Sequence, residues 1–588
     1  MKQIIIVLSV LFFLACENNT PLYPIDDIDT GTVIPSDESG MRIYQVDPLI
    51  KIVAENNQFT EEVDVLDVAR GETASLQLII KAEKSLTAAS AELVSLTNES
   101  GAQLSGVKFG WVRDVLSTLE YYPKPSLGFT EIQSMSKKYP DVIIDDETED
   151  INAGNHASLL VSIPIPESAK PGLYTGKVKI NALDGTTPVS AEKTFSLRVY
   201  PVNVGEPELF VTNWVFFDRF HQLNNGEQVQ RGTQLFNELR KKLAETCKSL
   251  GQNTYLIDAR PYPIGVNPDG SWIFNFDTFD EDVQAFIDHG GLKRIEAGHI
   301  LSVTGGAVGT RFGLNSAWEL NENGGFSRIS LYDDWREEGY KERVEPYFKN
   351  YFQALKKHLT EKGWLDMFVQ HLGDEPTATN YDGYIFYAQL VKKYFPEIKL
   401  IDAMDVGSSS YLKDVSDIMV PKLDVLHQDD EVYRQRTEQG KENWFYTSMS
   451  PRGNYANRFV NLPLVLTRIL HWINYYSGTK GYLHWGLMWW HSDLWKDLYQ
   501  DSSNPRNFLP GGDSYLIYPG YHKFYMSIRA NAMRDGIHDY NLLKMVERRS
   551  PEKAQEFLGA VVYGYDDYNI EIKNFRNVRR EMLEFLSN

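Results

Sequence analysis

The sequence predicts two domains of different classes, a β-sandwich followed by an α/β domain that closes into a (β/α)₈ barrel with helices at its C-terminal side. Three observations support this fold class. The chain has 588 residues, which is more than one hydrophobic core accommodates. Residues 41–204 show the period-2 alternation of half-buried strands, and residues 208–550 alternate strand-like and helical stretches.

The first sixteen residues have the pattern of an export signal. Met1-Lys2 precede an apolar run from Ile4 to Leu14, which is too short to span a bilayer and is followed by Ala15 and Cys16. A cysteine at this position resembles the lipidation site of bacterial lipoproteins. We therefore expect an exported protein with a lipid anchor at Cys16, facing the periplasm or the cell surface. Residues 17–40 are rich in Asp, Pro, Thr and Ser and are expected to form a flexible tether.

Composition excludes several classes of partner. The formal net charge is −21, whereas nucleic acids and anionic membrane surfaces require basic patches, so the lipid anchor is the expected membrane contact. Beyond Cys16 the chain has one further cysteine, Cys247, which cannot form an intrachain disulfide after lipidation. The sequence contains no phosphate-binding loop, HExxH, EF-hand, paired-Cys or GxSxG pattern. No cofactor and no metal are expected.

The stretch from Met41 to Val204 predicts the β-sandwich. Segments such as Ala74–Ile80, Ser158–Ile163 and Thr194–Tyr200 alternate apolar and polar residues. Turn signals such as Lys170-Pro171-Gly172 separate them, as in antiparallel sandwiches. Residues 201–207 are expected to be the linker to the second domain.

The second domain shows about eight strand-like runs, the number that a closed barrel requires. They are Val211–Phe217, Asn253–Asp258, Lys293–His299, Leu365–Leu372, Ile398–Met404, Asp424–Gln428, Asn443–Ser448 and Gly481–Leu487. Helical patterns lie between them, at Gly232–Leu250, Asp277–Gly290, Val344–Lys362, Tyr381–Phe395 and Leu462–Tyr476. A long insertion, Leu301–Glu342, is expected to overhang the barrel mouth. Two further helices are predicted at Tyr521–Arg549 and Asn569–Leu586, so that residues 551–588 form a C-terminal helical segment.

Two adjacent acids, Asp374 and Glu375, follow the fourth predicted strand. In a strand interior neighbouring side chains point to opposite faces, but a strand end relaxes that rule. Gly373 permits unusual backbone angles, and Pro376 favours extended geometry at Glu375, so both acids can reach one cavity. The alternative is that Asp374 caps the helix expected to start near Thr377.

Barrel enzymes place their chemistry at the C-terminal ends of the strands, and polar or aromatic residues are expected there on all eight. The candidates are Trp214, Asp258, Arg260, His299, His371, Asp402, Asp405, His427, Asp429, Asp430, Tyr446, His484, Trp485, Trp489 and Trp490. The Trp-rich run Trp485–Trp490 offers flat apolar faces for stacking on a sugar ring while acids hold the hydroxyls.

Three stretches resemble glycoside hydrolase family 123, the bacterial β-N-acetylgalactosaminidases. They are Gly373-Asp374-Glu375-Pro376, the aromatic segment Gly481–Trp490, and a later run from Tyr518-Pro519-Gly520 through Ser527-Ile528-Arg529 to Met533-Arg534-Asp535-Gly536-Ile537-His538-Asp539-Tyr540. The resemblance spans most of residues 210–550. The preceding β-sandwich fits the domain order of the family.

The resemblance implies an exo-acting, retaining enzyme that removes β-linked N-acetylgalactosamine from glycans or glycolipids with help from the substrate's own acetamido oxygen. Glu375 would protonate the leaving oxygen and then activate water. Asp374 would orient the acetamido group and stabilise an oxazolinium intermediate, and Tyr446 is placed as a donor to the acetamido oxygen. The residues expected to contact the substrate are Trp214, His371, Asp402, His427, Tyr446, Trp485 and Trp489.

Two other functions remain open at this stage. The first is a non-catalytic, glycan-binding surface lipoprotein with the same pocket. The second is an ordinary glycosidase in which Glu375 works with a distant carboxylate such as Asp402 or Asp430.

Overall fold

The computed structural model describes residues 39–59, 65–118, 134–304, 311–490, 494–498 and 509–588. The export signal, Cys16 and the tether up to residue 38 lie outside the described residues and stay predictions. In the part of the chain that is described, no helix is both long enough and apolar enough to cross a membrane.

The first domain is built from strands. Among the described residues they are β1 (Met41–Val46), β2 (Val65–Arg70), β3 (Thr73–Ala82), β4 (Leu86–Asn98), β5 (Lys108–Leu116), β6 (Lys138–Ile144), β7 (Glu149–Ile151), β8 (His156–Pro164), β9 (Gly172–Asp184) and β10 (Thr187–Asn203).

These strands form two five-stranded sheets, ordered β1-β3-β8-β5-β6 and β2-β10-β9-β4-β7. Alternate residues of facing strands fill the space between the sheets. Leu76 and Leu78 on β3 and Val178 and Ile180 on β9 belong to one buried apolar cluster. The predicted β-sandwich is confirmed.

The second domain mixes strands and helices. Its described strands are β11 (Phe210–Asn213), β12 (Thr254–Ile257), β13 (Pro263–Val266), β14 (Trp272–Phe274), β15 (Arg294–Ala297), β16 (Leu301–Thr304), β17 (Arg311–Leu314), β18 (Trp318–Leu320), β19 (Phe326–Arg328), β20 (Phe368–His371), β21 (Lys399–Met404), β22 (Ile418–Pro421), β23 (Glu442–Tyr446), β24 (Gly481–His484), β25 (Tyr518–Gly520) and β26 (Lys523–Tyr525).

The described helices all belong to this part of the chain. They are α1 (Gln234–Ser249), α2 (Asp277–Gly290), α3 (Tyr340–Lys362), α4 (Tyr381–Tyr394), α5 (Ser408–Leu412), α6 (Leu423–Gln428), α7 (Asp430–Glu438), α8 (Leu464–Ser477), α9 (Ile528–Arg549), α10 (Pro551–Gly559) and α11 (Ile572–Ser587).

Eight parallel strands form a nearly closed barrel in the order β11-β24-β23-β22-β21-β20-β15-β12. Side chains and one backbone hydrogen bond, from the Asn253 amide to the Val211 carbonyl (3.2 Å), complete the ring between β11 and β12. The Val211 amide donates to Asn253 Oδ1 (3.0 Å), and the Asn213 amide donates to Gln252 Oε1 (3.2 Å). The predicted (β/α)₈ barrel is confirmed.

The sixth strand differs from the sequence prediction. It is β22 (Ile418–Pro421), and the predicted strand Asp424–Gln428 lies within helix α6. Ile418, Met419 and Val420 are all buried, as parallel barrel strands require on both faces. In α6 the buried residues Leu423 and Leu426 are three positions apart, which is a helical spacing.

Helix α9 begins later than predicted. Residues 518–525 form the β25–β26 hairpin instead of a first helical turn. Ser527 is the N-cap of α9, and its hydroxyl oxygen accepts a hydrogen bond from the Ala530 amide. The helix therefore starts at Ile528 because a capping residue precedes it there.

A buried ion pair joins the sandwich to the barrel. Arg529 on α9 and Asp141 on β6 are both fully buried, with Arg529 Nη2 2.8 Å from Asp141 Oδ2. Tyr518 donates its hydroxyl to the same carboxylate oxygen (2.6 Å). The Arg529 guanidinium also donates to the carbonyl oxygens of Arg458 and Gly512.

A second buried network joins the same two domains. Arg579 on α11 pairs with Glu72, between β2 and β3, and with Asp539 on α9 (2.9 Å). Arg468 on α8 binds the Asp539 carboxylate through two nitrogens, at 2.7 and 2.9 Å. The run from Ser527 to Tyr540, which carries part of the family resemblance, therefore holds the two domains together.

The first prediction concerns this interface. Replacing Asp141 with Asn should lower the free energy of unfolding by about 3–5 kcal/mol, because it leaves Arg529 as a buried charge without its carboxylate. Equilibrium urea unfolding of purified protein measures the change.

Asp145→Asn is the matched control. Asp145 directly follows β6 and pairs with Lys523 across the same interface (2.7 Å), but 53% of its side chain is exposed. Its loss should cost less than about 1 kcal/mol. Equal costs for the two variants would contradict the assignment of Asp141 as the buried anchor.

Candidate active site

The two adjacent acids lie at the C-terminal end of β20, as predicted. Asp374 and Glu375 follow the strand directly, and helix α4 begins only at Tyr381. The N-cap of α4 is Asn380, whose side-chain oxygen accepts from the Thr377 amide (2.8 Å). Neither acid caps the helix, so the alternative role for Asp374 is wrong.

The backbone of this turn differs from the expectation. Glu375 itself has a left-handed φ of +42°, although Pro376 was expected to keep it extended. Such a conformation costs on the order of 1–2 kcal/mol for a residue with a side chain. Gly373 is needed for space instead. A Cβ there would lie 3.0 Å from the Phe312 ring and 3.3 Å from Leu301, so the insertion packs directly on the turn.

Glu375 is half-buried and hydrogen-bonded. The Tyr446 hydroxyl, on the end of β23, donates to Glu375 Oε1. Burial raises the pKa of the Glu375 carboxyl and the charge of Asp374 raises it further, whereas Tyr446 and Lys422 oppose the rise. Lys422 lies 3.3 Å from Asp405, so that carboxylate is paired with a cation. A carboxyl group with this surrounding is suited to hold a proton and give it up.

Asp374 is more open than its neighbour. Its side chain is 55% exposed, and Asp374 Oδ1 lies 3.8 Å from Nε2 of His299. Surrounding protein atoms raise the pKa of the Asp374 carboxyl, and the positive His371 opposes that rise. Contact with water weakens the effect of burial here. Asp374 is therefore placed to act as an anion at the barrel mouth.

A charged network lies under the two acids. His371 Nε2 faces Glu296 Oε1 at 2.5 Å, and its Nδ1 faces Asp402 Oδ1 at 3.1 Å. Burial alone would lower the pKa of His371, but its hydrogen bonds to Asp402 and Glu296 raise it to about 10. The ring is therefore an imidazolium at neutral pH, between two carboxylates. The indole N–H of Trp214 also donates to Glu296 Oε1 (3.0 Å).

His371 and Asp402 were expected to contact the substrate, and the structure corrects this. Both side chains are completely buried. Asp402 accepts hydrogen bonds from the Leu372 amide (3.1 Å to each oxygen) and from the Tyr384 hydroxyl (2.6 Å), besides His371. Their polar atoms are thus occupied by protein groups, which leaves Trp214 as the substrate-contact candidate beside them.

His299 lies above this network. Its ring is 4.4 Å from the His371 ring, centroid to centroid, and 5.6 Å from that of Trp214. Burial and the positive His371 lower the pKa of His299 to about 3, so it is neutral at neutral pH. Within the described residues, His299, His371 and Asp402 are close enough to be considered as metal ligands. Both nitrogens of His371 already face carboxylate oxygens, of Glu296 at 2.5 Å and of Asp402 at 3.1 Å, so a metal could bind this ring only by replacing one of these contacts.

Two tryptophans lie beside the first strand, as expected for a sugar site. Trp485 and Trp489 follow β24, are partly exposed, and have ring centroids 6.3 Å apart. The indole N–H of Trp485 donates to Asp513 (3.1 Å), and the Arg219 guanidinium lies 3.8 Å from the centroid of Trp489. Both remain candidates for substrate contact. Trp490 is buried and donates to the Ile517 carbonyl, so it is a core residue.

His427 is not at a strand end, because it lies on α6. It contacts the Tyr455 hydroxyl (2.9 Å) and stacks on Tyr565. Asp430 starts α7, where it pairs with Arg434 and accepts from the Tyr565 hydroxyl. This cluster belongs to the contact between the C-terminal segment and the barrel, and the structure does not bring it together with the acid pair.

The remaining strand-end candidates have structural partners. Arg260 is held by Asp258 (2.9 Å) and donates to the His299 and Asn315 carbonyl oxygens, so it fixes the third strand end. His484 is completely buried next to Arg458 (2.6 Å).

Sequence reasoning missed Glu296, Tyr384 and Lys422. For Glu296 a signal was present, because a carboxylate inside the buried strand Arg294–Ala297 requires a buried partner. Tyr384 and Lys422 gave no signal of their own. Tyr384 is connected to the site by its hydrogen bond to Asp402, and Lys422 by its contact with Asp405. Both contacts exist only in the folded protein.

Known proteins agree with this architecture. The family profile described as the glycoside hydrolase 123 catalytic domain matches residues 263–546. The profile of the glycoside hydrolase 123 N-terminal domain matches residues 51–182. No curated protein matches the chain in sequence.

One similar solved structure is that of a family 123 glycoside hydrolase from Clostridium perfringens, described in connection with glycolipid glycan hydrolysis. It is 17% identical, with a TM-score of 0.66, and the match covers 93% of this chain and 97% of that one. At this identity the match shows the fold.

Two more distant structures are an endo-β-1,4-mannanase from Thermotoga petrophila and a family 10 xylanase from Thermobacillus composti. Their identities are 14% and 11%, their TM-scores 0.32 and 0.31, and the matches cover 57% and 56% of this chain and 78% and 97% of theirs. Similarity at that level carries no argument about this chain.

The two family profiles together match more than half of the chain, in the order in which the sandwich and the barrel occur. The chain therefore belongs to glycoside hydrolase family 123 and is a glycoside hydrolase.

Proposed function

We propose that this glycoside hydrolase is exo-acting and removes β-linked N-acetylgalactosamine from glycans or glycolipids, with retention of configuration, through an oxazolinium intermediate formed by the substrate's own acetamido group. The observation that carries the proposal is the position of the two acids. Asp374 and Glu375 share one strand end. Two carboxylates that act from opposite sides of a sugar ring ordinarily come from separate positions about 5 Å or more apart.

The carboxylates that an ordinary mechanism would need are already committed. Asp402 is completely buried and hydrogen-bonded to three protein groups. Asp430 is bound by Arg434 on the same helix, α7, and by Tyr565 in the segment between α10 and α11. The internal nucleophile of a 2-acetamido sugar removes the need for either one.

The surroundings of Asp374 and Glu375 suit the two acids to different roles. Glu375, whose pKa is raised by burial and by Asp374, keeps a proton for the leaving oxygen. Asp374, which faces solvent and feels the positive His371, carries the negative charge that stabilises the acetamido nitrogen as the ring forms. The partly exposed side chains of Trp214, Trp485 and Trp489 would contact the sugar ring.

A panel of aryl β-glycosides tests the proposal directly. We expect hydrolysis of the N-acetylgalactosaminide and no comparable hydrolysis of the β-galactoside, which lacks the acetamido nucleophile. Good turnover of the β-galactoside would contradict a substrate-assisted mechanism, and preference for the N-acetylglucosaminide would change the sugar while keeping the mechanism.

The second prediction concerns the proton donor. Glu375→Gln should lower kcat/KM by about 10²–10⁴-fold on substrates with poor leaving groups and much less on nitrophenyl substrates, since only the former need protonation. Steady-state kinetics across a series of leaving groups measures this slope.

Glu397→Gln serves as the control for that series. Glu397 is an exposed partner of Lys356 on the outer surface, so its loss should leave the slope unchanged. Equal losses of Glu375→Gln on good and poor leaving groups would remove Glu375 from the role of acid.

The third prediction concerns Asp374. Asp374→Asn should reduce turnover by about 10²–10³-fold and should weaken inhibition by a thiazoline analogue of the intermediate, because a neutral amide cannot balance the developing positive charge. Inhibition constants and kcat are compared between the variant and the wild type. Trapping of a fluorinated sugar as an ester on any carboxylate of the enzyme would show an ordinary covalent mechanism instead.

The fourth prediction concerns Tyr446. Its hydroxyl stabilises the charged form of Glu375, so Tyr446→Phe should raise the pKa of Glu375 and move the basic limb of the kcat/KM profile to higher pH, by about 0.5–1 unit. Tyr482→Phe removes a hydroxyl that pairs with Thr447, the residue after the neighbouring strand β23 (2.7 Å), and should leave the limb in place. A basic limb unmoved in Tyr446→Phe would show that this contact does not act on the proton donor.

A further inference from the structure

The turn that presents the acid pair is anchored by a residue that no substrate can reach. Both oxygens of Asp402 accept from the backbone amide of Leu372, each at 3.1 Å. Leu372 immediately follows β20 and lies two residues before Asp374. A carboxylate that holds this amide fixes where the strand ends and where the turn begins.

The same carboxylate is fixed from two more sides. The Tyr384 hydroxyl, on helix α4, donates to Asp402 Oδ2 at 2.6 Å, and His371 Nδ1 faces Asp402 Oδ1 at 3.1 Å. Since α4 is the helix that follows the acid pair, Asp402 ties both ends of that connection together. An unusual backbone such as that of Glu375 persists only where its surroundings determine it in this way.

His371 is the one cation inside this group. Its other nitrogen faces Glu296, and Glu296 also accepts from Trp214. The further groups that face the triad are neutral His299, the Tyr384 hydroxyl and, across the His299 ring, Asp374 and Arg260. Glu296, His371 and Asp402 are each completely buried, so none of them touches a substrate in the cleft.

We propose that Glu296, His371 and Asp402 form a positioning triad, which holds the turn from Leu372 to Glu375 in one conformation and supplies a fixed positive charge behind Asp374. The proposal rests on the substrate-assisted role given to Asp374 above. The triad accounts for how two adjacent carboxyl groups hold opposite charge states. Its cation favours the ionised form of Asp374, whereas burial and the charge of Asp374 favour the protonated form of Glu375.

The raised pKa of His371 agrees with this geometry, because its buried hydrogen bonds to Asp402 and Glu296 hold the charged form. The positive His371 in turn opposes the rise in the pKa of Asp374. The triad therefore keeps its cation at neutral pH, where Asp374 and Glu375 are to differ in charge.

Two substitutions at the His371–Glu296 contact separate the effect of the cation from the effect of the hydrogen bond. His371→Gln removes the cation, so Asp374 should ionise at higher pH and the acidic limb of the kcat/KM profile should rise by about one unit. Glu296→Gln keeps an acceptor oxygen and removes a negative charge, so the acidic limb should not rise. Aryl β-N-acetylgalactosaminide is the substrate. Limbs that rise equally in both variants, or that move in neither, would overturn the proposal.

A pair of tyrosines on one helix tests the anchoring of the turn. Tyr384→Phe removes one of the hydrogen bonds to Asp402, and we expect kcat to fall about tenfold with little change in KM. Tyr387 lies one turn further along α4, is equally buried, and shares a hydrogen bond with Tyr340 (2.7 Å). Tyr387→Phe should keep wild-type kcat. The same kcat in the two variants would contradict a positioning role for Asp402.

A spectroscopic measurement reads the triad without any substrate. In ¹⁵N-histidine-labelled protein, the His371 ring, identified by its absence from the His371→Gln spectrum, should have both nitrogens protonated at pH 8. An ordinary histidine is neutral there. In Glu296→Gln it should lose its proton at lower pH. A neutral His371 at pH 8 would overturn the proposal whatever the substrate is, whereas failure of the sugar panel alone would overturn only the proposed function.

Discussion

The barrel closes between β11 and β12 mainly through side chains, and the active site depends on that closure. Asn253 takes the place of a regular ladder between β11 and β12, since its side chain binds the Val211 amide and the Leu209 carbonyl (3.0 and 2.9 Å) and its own amide donates to the Val211 carbonyl (3.2 Å). Closure brings the end of β11 over the barrel interior, where Trp214 reaches Glu296 on β15. Without this closure, the tryptophans that follow β11 and β24 would lie toward one edge of an open sheet, and Glu296 on β15 would lie next to the other edge.

At the mouth of the barrel, neighbouring cations balance much of the repulsion between carboxyl groups. Four carboxyl groups, those of Glu296, Asp374, Glu375 and Asp402, lie close together, and two of them, Glu296 and Asp402, are completely buried, where like charges repel strongly. A single imidazolium separates the two deepest carboxylates, and a lysine pairs with the neighbouring Asp405. The remaining repulsion acts between Asp374 and Glu375. It favours a state in which one of the two is protonated and the other is ionised, as the proposed mechanism requires.

Much of this arrangement was predictable from local sequence. An apolar strand that ends in Asp374 and Glu375 predicts either an active-site pair or a helix cap, and the polar and aromatic residues expected at the other strand ends favour the site. The tryptophans after β24 indicate a sugar. What could not be predicted depends on long-range contacts. Glu296 meets His371 across 75 positions of sequence. The sixth strand was misplaced because four buried residues, Ile418–Pro421, give too short a run to stand out from the helix that follows. His427 was misplaced with it.

The charged residues of α9 limit how the sandwich and the barrel of such enzymes can be separated or combined with other domains. Arg529 finds its carboxylate on a sandwich strand, and Asp539 is linked through Arg579 to Glu72 at a sandwich turn. Apolar residues of β6 such as Val142 and Ile144 belong to the same buried cluster as the barrel helices. The sandwich is therefore not an exchangeable module on a tether. A barrel excised at residue 208 would expose the Arg529 guanidinium without its carboxylate and would leave Arg579 with Asp539 but without Glu72, so the unit that evolution or an engineer can transplant is the pair of domains.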